Sequence, residues 1–330
     1  MKKKGWKIAM IVILVVVLLA CGLLAAVGNL LFDFALNPNG RYTMKDLYAA
    51  DSVEGIDWSG ESIEQTEDVL AWWDYCSEAV SWYEKEKVAV TLDSGDGIML
   101  HGWEFVQEGH RYAIVCHGYT GVPSEMAAYA MKFYDMGFSV LTPAAVGHEL
   151  SGGKYYGMGW PERKHMLEWI ARIIETDPQA EICLFGVSMG GATVMMTAGE
   201  ELPEQVKCII EDCGYSSVWD EFGMQLEAMF HMPEFPLLHI ANLVARIRAG
   251  YDFREASAVE QLKKAEVPMM FIHGETDIFV PYEMLDIVYE ACASEKKVKL
   301  SIPDASHAAS VHTDPMRYWT EVERFIGEAF

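Results

Sequence analysis

From Val88 onward, short apolar runs alternate with longer stretches in which apolar residues recur every three or four positions. Runs of four to eight apolar residues are typical of buried strands, and the longer periodic stretches are typical of amphipathic helices. The runs are VAVTL, IMLHGWEF, RYAIVC, FSVLT, EICLFG, VKCIIED, PMMFIHG and VKLSI. Because strands that alternate with helices pair in parallel, the pattern predicts an α/β fold with a mostly parallel eight-stranded sheet.

The alternation is interrupted between Gly214 and about Arg254, where roughly forty residues rich in methionine and aromatic side chains separate the sixth and seventh strands. Connections of this length inside a compact domain are usually functional. We therefore predict a helical lid over residues 214–254 that shapes an adaptable apolar pocket. The alternative is that these side chains only bury the lid against the body.

The chain begins with a different pattern. Lysines stand at positions 2, 3, 4 and 7, and the run from Ile8 to Gly28 contains no charged residue. Such a run is long enough to cross about 30 Å of hydrocarbon, and lysines before it favour a cytoplasmic N-terminus. We predict a single-pass membrane anchor over residues 1–36, with the rest of the chain extracytoplasmic. A cleaved signal peptide and a lipidated Cys21 in LLAC are the alternatives.

Residues 37–87 are predicted to form a juxtamembrane linker followed by one amphipathic helix. Its apolar positions are Trp72, Trp73, Tyr75, Val80 and Trp82. We expect this helix to pack on the domain formed by residues 88–330, because its polar face is acidic and a membrane-surface helix usually carries a basic one.

The charge and composition of the chain disfavour several classes of partner and cofactor. The formal net charge of −24 disfavours nucleic acid as a partner. The seven cysteines mostly fall inside apolar patterns and are expected to be buried thiols. Neither a zinc-ligand spacing nor a phosphate-binding glycine loop occurs, so no metal and no cofactor is predicted.

The pentapeptide GVSMG, residues 186–190, follows the strand ICLF and opens a helical stretch. A strand, a sharp turn and a helix are the context of a nucleophile elbow, which exposes a serine hydroxyl at the end of the strand. Ser188 is therefore the candidate nucleophile. The alternative is an ordinary small residue at a strand-to-helix turn.

Two further residues complete a serine, acid, histidine order. Asp277 follows the strand PMMFIHG, and His307 follows the last strand, KVKLSIP. A serine hydroxyl becomes a nucleophile when a histidine accepts its proton and a carboxylate fixes the tautomer of that histidine. Asp277 and His307 are the candidate acid and base, and Asp212 and His312 are the respective alternatives.

The segment HGYTG follows the buried strand RYAIVC and begins a candidate oxyanion hole. An oxyanion hole in this arrangement uses the backbone N–H after the serine and a second N–H from the loop after an early strand. The predicted donors are the backbone N–H groups of Met189 and Tyr119.

Together with HGYTG, the segments MGWPERKHMLEWI, GVSMGGATVMMTAGE, IEDCGYSSVWDEF and VPMMFIHGETDIFVPYEM resemble membrane-anchored bacterial α/β-hydrolases of the serine aminopeptidase or Bem46-like type. The resemblance covers most of the chain. It implies the α/β-hydrolase fold, Ser188, Asp277 and His307 as a triad, and Tyr119 and Met189 as oxyanion donors. One segment departs from the pattern: relatives usually carry P-D-x-R-G-H-G-x-S where this chain reads PAAVGHELS, residues 143–151.

These observations predict a serine hydrolase that forms an acyl-enzyme at Ser188 and acts on a small ester or acyl substrate. A carboxylesterase is favoured because an apolar lid requires few polar determinants. A peptidase or an acyltransferase on the same triad remains open. A third hypothesis is an inactive, membrane-tethered binding protein, motivated by the missing Asp and Arg of the 143–151 segment.

Overall fold

The computed structural model describes residues 2–49 and 63–330. Its centre is an eight-stranded sheet with the order β1-β2-β4-β3-β5-β6-β7-β8. β2 pairs antiparallel with β1 and β4. The remaining pairs, from β4 through β3 to β8 in the sheet order, are parallel. The mostly parallel eight-stranded sheet predicted from the apolar runs is confirmed. The strands are β1 Val88–Asp93, β2 Met99–Phe105, β3 Arg111–Cys116, β4 Ser139–Pro143, β5 Glu181–Val187, β6 Val206–Asp212, β7 Met269–Gly274 and β8 Lys297–Ile302.

Helices precede, separate and cover these strands. A short 3₁₀ helix, Pro123–Met126, leads into α4. The α-helices are α1 Lys2–Leu36, α2 Met44–Ala49, α3 Glu67–Glu86, α4 Ala127–Asp135, α5 Glu162–Thr176, α6 Met189–Thr197, α7 Val218–Phe230, α8 Glu234–Arg248, α9 Ala258–Leu262, α10 Glu283–Ala291, α11 Ser310–Thr313 and α12 Pro315–Ala329.

The sheet is buried on both faces. Successive side chains of a strand point to opposite faces, so one strand contributes to the packing on both sides. In β5, Ile182 and Leu184 belong to the cluster that includes α5, α6 and α9. Cys183 and Phe185 belong to the cluster that includes α3, α4 and α12. Because both faces of β5 are buried, its residues are apolar at successive positions and do not alternate between apolar and polar.

The helix predicted after the linker is α3, and it packs on α4 and α12 of the body. Trp72 and Tyr83 are buried, and the indole N–H of Trp72 donates to Nδ1 of His312 at 3.0 Å. The prediction that Val80 belongs to the apolar face was wrong, since Val80 is exposed and Ala79 is buried instead. The predicted linker falls partly on residues 50–62, outside the described residues. The domain boundaries at 36 and 87 stay a prediction.

Over Trp6–Leu36, α1 is long and apolar enough to cross a membrane. A signal sequence near an N-terminus meets the same criterion. The two halves of the helix differ: side chains from Trp6 to Leu24 are exposed, whereas Phe32 and Leu36 are buried against the body. α7 and α8 form the lid predicted between the sixth and seventh strands, and α8 packs along α1.

Candidate active site

Ser188 lies at the junction of β5 and α6. Its φ of 56° and ψ of −117° are unusual for a residue with a side chain, and its backbone N–H donates to the Asp212 carbonyl at 2.8 Å. The hydrogen bond and the flanking strand and helix hold this strained conformation. The hydroxyl is therefore presented at the carboxyl end of the sheet, as a nucleophile elbow requires.

The glycines of the elbow are needed for close backbone approach. A Cβ on Gly186 would overlap the backbone of Gly190, and a Cβ on Gly190 would overlap the carbonyl oxygen of Cys116. At Gly191 an added Cβ would lie 3.0 Å from the Asp212 carbonyl oxygen. Residues with side chains would therefore push α6 away from the strands beneath it.

The structure brings the three predicted triad side chains into one hydrogen-bonded chain. Nε2 of His307 lies 2.9 Å from Oγ of Ser188, and Nδ1 of His307 lies 2.8 Å from Oδ2 of Asp277. All three residues are buried. Because the carboxylate can only accept, Nδ1 carries the proton and Nε2 presents its lone pair to the serine hydroxyl. This arrangement can deprotonate Ser188 during attack on a carbonyl carbon.

The environment of Asp277 keeps its carboxyl ionised. Oδ1 accepts the backbone N–H groups of Phe279 at 3.0 Å and Val280 at 2.9 Å. Burial by itself raises the pKa of Asp277, but His307 and His273 outweigh it and lower the pKa to about 2. The acid is therefore an anion at any physiological pH.

His273, the second-last residue of β7, helps to hold this acid. Its Nε2 donates to the Val280 carbonyl at 2.8 Å and lies 3.3 Å from Oδ2 of Asp277. Burial lowers the pKa of His273, but the Asp277 carboxylate more than offsets it, and the pKa is raised. The only signal in the sequence was its position two residues before Glu275, at the end of β7.

The two alternatives to the acid and the base lie elsewhere. Oδ2 of Asp212 accepts the hydroxyl of Tyr318 at 2.9 Å, and burial raises the pKa of Asp212 to about 6. His312 is bonded to Trp72, and burial lowers its pKa to about 4. Neither side chain forms the contact with His307 or Ser188 that its alternative role needs.

The predicted oxyanion donors flank the serine. Met189 is the first residue of α6, so its N–H has no acceptor one turn earlier in the same helix. Tyr119 follows Gly118, where an added Cβ would lie 3.6 Å from the Ser188 Cβ. The side chain of Tyr119 donates its hydroxyl to the Ala35 carbonyl of α1. The oxyanion role of both N–H groups stays a prediction.

The loop 143–151 is held without the missing Asp and Arg. Oγ of Ser151 donates to the Ala144 carbonyl at 2.8 Å and accepts the backbone N–H of His101 at 2.9 Å. Nε2 of His117 accepts the backbone N–H of Ala145 at 3.1 Å, and burial lowers the pKa of His117 to about 4. A neutral imidazole therefore links this loop to the segment that carries Tyr119.

A pocket of about 800 Å³, counting the space open to solvent, lies over Ser188. Its lining is almost entirely apolar and comes from the lid, from the loops after the strands and from the C-terminal part of α1. The lining residues are Leu31, Phe32, Phe34, Ala35, Met44, Tyr119, Met158, Ser188, Tyr215, Glu221, Phe222, Gln225, Leu226, Met229, Phe230, Leu238, Ala241, Phe253, Phe279 and Val280. The contribution of α1 was not anticipated from the sequence.

One acidic side chain, Glu221 of α7, lines this pocket. Its Oε1 accepts the side-chain amide of Gln225 at 3.0 Å, and Oε2 has no hydrogen-bond partner within residues 2–49 and 63–330. Burial raises the pKa of Glu221 to about 8. At neutral pH this group is mostly a protonated acid that can donate a hydrogen bond to a bound molecule. Glu221 falls within the segment IEDCGYSSVWDEF, but the sequence assigned it no role.

The sequence model of the prolyl oligopeptidase family matches residues 124–330, which include Ser188, Asp277 and His307. The chain belongs to the prolyl oligopeptidase family. This membership, with the sheet and the elbow, confirms the predicted α/β-hydrolase fold and makes the chain a serine hydrolase, either an esterase or a peptidase.

Relatives of this prolyl oligopeptidase family member include proteins with and without a described activity. The uncharacterized protein YqkD of Bacillus subtilis is 27% identical over 248 residues, which cover 74% of this chain and 81% of YqkD. A thermostable monoacylglycerol lipase of a Bacillus species is 24% identical over 68% of this chain and 94% of the lipase. An esterase of Pyrococcus furiosus superposes with a TM-score of 0.61 and 21% identity, over 74% of this chain and 91% of the esterase.

One group of residues in this family member has the composition of a metal site. Ligand atoms of Cys213, Asp277 and His307 lie within 4.8 Å of one another. However, Asp277 and His307 are hydrogen-bonded to each other, and burial raises the pKa of the Cys213 thiol well above its ordinary value. A protonated thiol is a poor metal ligand. The expectation that no cofactor is needed stays a prediction.

Proposed function

We propose that this protein is a carboxylic ester hydrolase in which Ser188, His307 and Asp277 form the catalytic triad. The observation that carries the proposal is the continuous hydrogen-bonded chain from the Ser188 hydroxyl through His307 to the Asp277 carboxylate. Its elements come from three strand ends that are far apart in the sequence.

In this mechanism Oγ of Ser188 attacks the ester carbonyl carbon while Nε2 of His307 takes its proton. The backbone N–H groups of Tyr119 and Met189 stabilise the resulting oxyanion. The imidazolium of His307 then donates its proton to the alkoxide as the acyl C–O bond breaks, and the alcohol leaves. Water then attacks the acyl carbon while His307 takes one of its protons, and the acyl–Oγ bond breaks as His307 returns that proton to Ser188, which releases the carboxylic acid.

An ester substrate with an apolar acyl part fits the pocket best. Its wall is apolar apart from a few groups, of which Glu221 is mostly neutral at pH 7. The name of the related monoacylglycerol lipase and that of the Pyrococcus esterase point in the same direction.

A peptidase is the second candidate, and Glu221 is the observation that favours it. A carboxyl group at the wall of the pocket could bind the α-ammonium group of a peptide, which would lower the pKa of Glu221 and ionise it. The name of the family also favours this candidate. Comparing rates on aminoacyl p-nitroanilides and on p-nitrophenyl esters separates the two candidates.

The test of the triad is covalent labelling with a fluorophosphonate probe. We expect stoichiometric labelling of the full chain and none in Ser188→Ala. Ser306→Ala, a neighbour of His307, serves as the matched control and should label as the parent does. Labelling that persists in Ser188→Ala, or its absence in the parent, would contradict the proposal, and absence would favour a binding protein on a hydrolase scaffold.

We further propose that α1 is an uncleaved anchor over residues 1–36 and that residues 88–330 form an extracytoplasmic hydrolase domain. The lysines before the apolar run support this orientation. Protease added to intact cells should then degrade the domain, and complete protection would contradict the orientation.

A further inference from the structure

The pocket over Ser188 has one wall made by the helix that carries the apolar span. Leu31, Phe32, Phe34 and Ala35 of α1 line the pocket together with residues of α7 and α8. Tethering the domain to a membrane does not by itself require α1 to line the active-site pocket. The same rigid element therefore connects the apolar span to the place where a substrate would lie.

The contact between α1 and the body is tightly built. A Cβ on Gly28 would overlap Ile240 of α8, so only glycine permits the approach of the two helices. The guanidinium of Arg248 donates to Asn29 at 2.9 Å and to Asp33 at 2.7 Å, and it lies 4.3 Å from the ring centre of Phe32. The end of α1 is thus fixed relative to the lid by packing and by a charge pair.

The position of the pocket relative to a bilayer follows from the helix rise. The 21 uncharged residues from Ile8 to Gly28 (28 − 8 + 1) span about 31 Å at about 1.5 Å per residue, which matches a hydrocarbon thickness of about 30 Å. Leu31 and Phe34 then lie about 5 and 9 Å beyond the hydrocarbon edge. Leu31 therefore lies within the headgroup layer, whose thickness is about 5 to 8 Å on each side, and Phe34 lies at or just beyond its outer edge.

The lid exposes apolar side chains on α8, among polar ones that include His239 and Arg246. Phe235, Leu243 and Ile247 of α8 are exposed by 73%, 54% and 75%, and we call them the lid face. On α1, Leu30 is also exposed, by 63%. Exposed apolar patches of this kind mark interaction surfaces. Because the lid face lies on the helix that packs against the end of the apolar span, a lipid surface is the partner that its position indicates.

Two aromatic rings bound the pocket near the protein surface. Phe34 of α1 and Phe230 at the end of α7 both line it, and their rings meet edge to face at 5.6 Å between centres. Phe230 is exposed by 39%. An acyl chain that displaced these two rings from each other would enter between them, run along α1 and bring its ester carbonyl to Ser188.

We propose that the substrate is a long-chain acyl ester resident in the bilayer, that it enters sideways between α1 and the lid, and that α1 forms part of the acyl-chain site. The proposal rests on the ester-hydrolase function proposed above. It adds that membrane presentation is part of substrate binding, with the lid face seated in the lipid surface.

The test uses the full chain in phosphatidylcholine vesicles and two esters with one leaving group: soluble p-nitrophenyl butyrate, and p-nitrophenyl palmitate embedded in the vesicles. Leu243→Asp/Ile247→Asp places two charges on the lid face. Ile287→Asp/Met316→Asp, at exposed apolar positions of α10 and α12, is the matched control. We expect the lid-face variant to lose at least about tenfold in kcat/KM on the palmitate alone, because buried charge opposes contact with lipid. The control should change neither rate by more than about twofold.

An equal effect of both variants on the palmitate, or no effect of the lid-face variant, overturns the proposal. A change in self-association without a change in palmitate hydrolysis overturns it in favour of a second copy as the partner. If neither ester is hydrolysed by the parent and Ser188 is not labelled, the proposed function fails, which is a different result.

A second measurement needs no variant that could misfold. A fluorophosphonate with a long alkyl chain and a terminal diazirine is attached to Ser188 in vesicles and then photolysed. We expect cross-linked peptides from residues 31–35 of α1 as well as from α7. Labelling of Ser188 with cross-links to the body alone would leave the hydrolase function intact and refute the role of α1.

Discussion

Replacing Asp277 by asparagine tests the proposed roles of all three triad residues, because the structure determines which way the new amide must face. The backbone N–H groups of Phe279 and Val280 both point at Oδ1, so the oxygen of the new side-chain amide is held there as their acceptor. The NH₂ group then faces Nδ1 of His307 in place of Oδ2. Nδ1 must accept, and the ring proton moves to Nε2.

In that tautomer Nε2 donates to Ser188 and cannot remove its proton. We expect kcat to fall about 10⁴-fold, as the same change does in other serine hydrolases. At about 1.36 kcal/mol per factor of ten, this corresponds to about 5 kcal/mol of lost transition-state stabilisation. KM should change little, since the side chain lies behind the imidazole rather than at the wall of the pocket.

The assay is hydrolysis of p-nitrophenyl butyrate by the full chain in detergent, together with the rate of fluorophosphonate labelling. Asp212→Asn is the matched control, because Asp212 is an equally buried carboxyl that is bonded to Tyr318. It should reduce kcat by less than about tenfold. Asp277→Asn that retains a tenth of the parent activity, or Asp212→Asn that loses as much as Asp277→Asn, would refute the reasoning.

Three other predictions follow from buried groups. Glu221→Gln should leave p-nitrophenyl butyrate hydrolysis within about threefold and abolish any hydrolysis of aminoacyl p-nitroanilides, and equal effects on both would exclude Glu221 as an ammonium site. Gly190→Ala should lower the free energy of unfolding in urea by about 3 kcal/mol because its Cβ overlaps backbone, whereas Gly327→Ala in α12 meets open space and should not lower it. From these two groups, stability should be highest between about pH 4.5 and 6.5. Burial raises the pKa of Glu211 from 4.5 to about 8, so its contribution is lost as pH rises from 4.5 to 8. Burial lowers the pKa of His117 from 6.5 to about 4, so its contribution is lost as pH falls from 6.5 to 4. Glu211→Gln should flatten the alkaline decline in melting temperature, and an unchanged decline would contradict this origin.

Much of the fold could be predicted because its signals are local. Each buried strand is a short apolar run, and α1 is a long one. The elbow is also local, since its glycines and Ser188 are consecutive and the backbone conformation depends on their lack of side chains. The placement of Ser188, Asp277 and His307 after strands was enough to bring them to one edge, because parallel strands end on the same side of a sheet.

Val80 marks the limit of the same reasoning. Helical periodicity identified α3 but assigned Val80 to its apolar face, whereas the body contacts the face with Trp72 and Tyr83. Helical periodicity predicts that α3 has a buried face. The shape of the surface against which α3 packs decides which residues form that face.

By itself, the sequence determined the α/β architecture, the elbow and an apolar helix long enough to cross a membrane, because each depends on residues close together in the chain. Only the tertiary structure decided that Asp277 rather than Asp212 contacts His307, that His273 supports the acid, that Glu221 lines the pocket, and that α1 forms one of its walls. Most of these contacts join residues that lie far apart in the chain, and no local pattern encodes them. They arise from how the packed layers fit together once the sheet has formed.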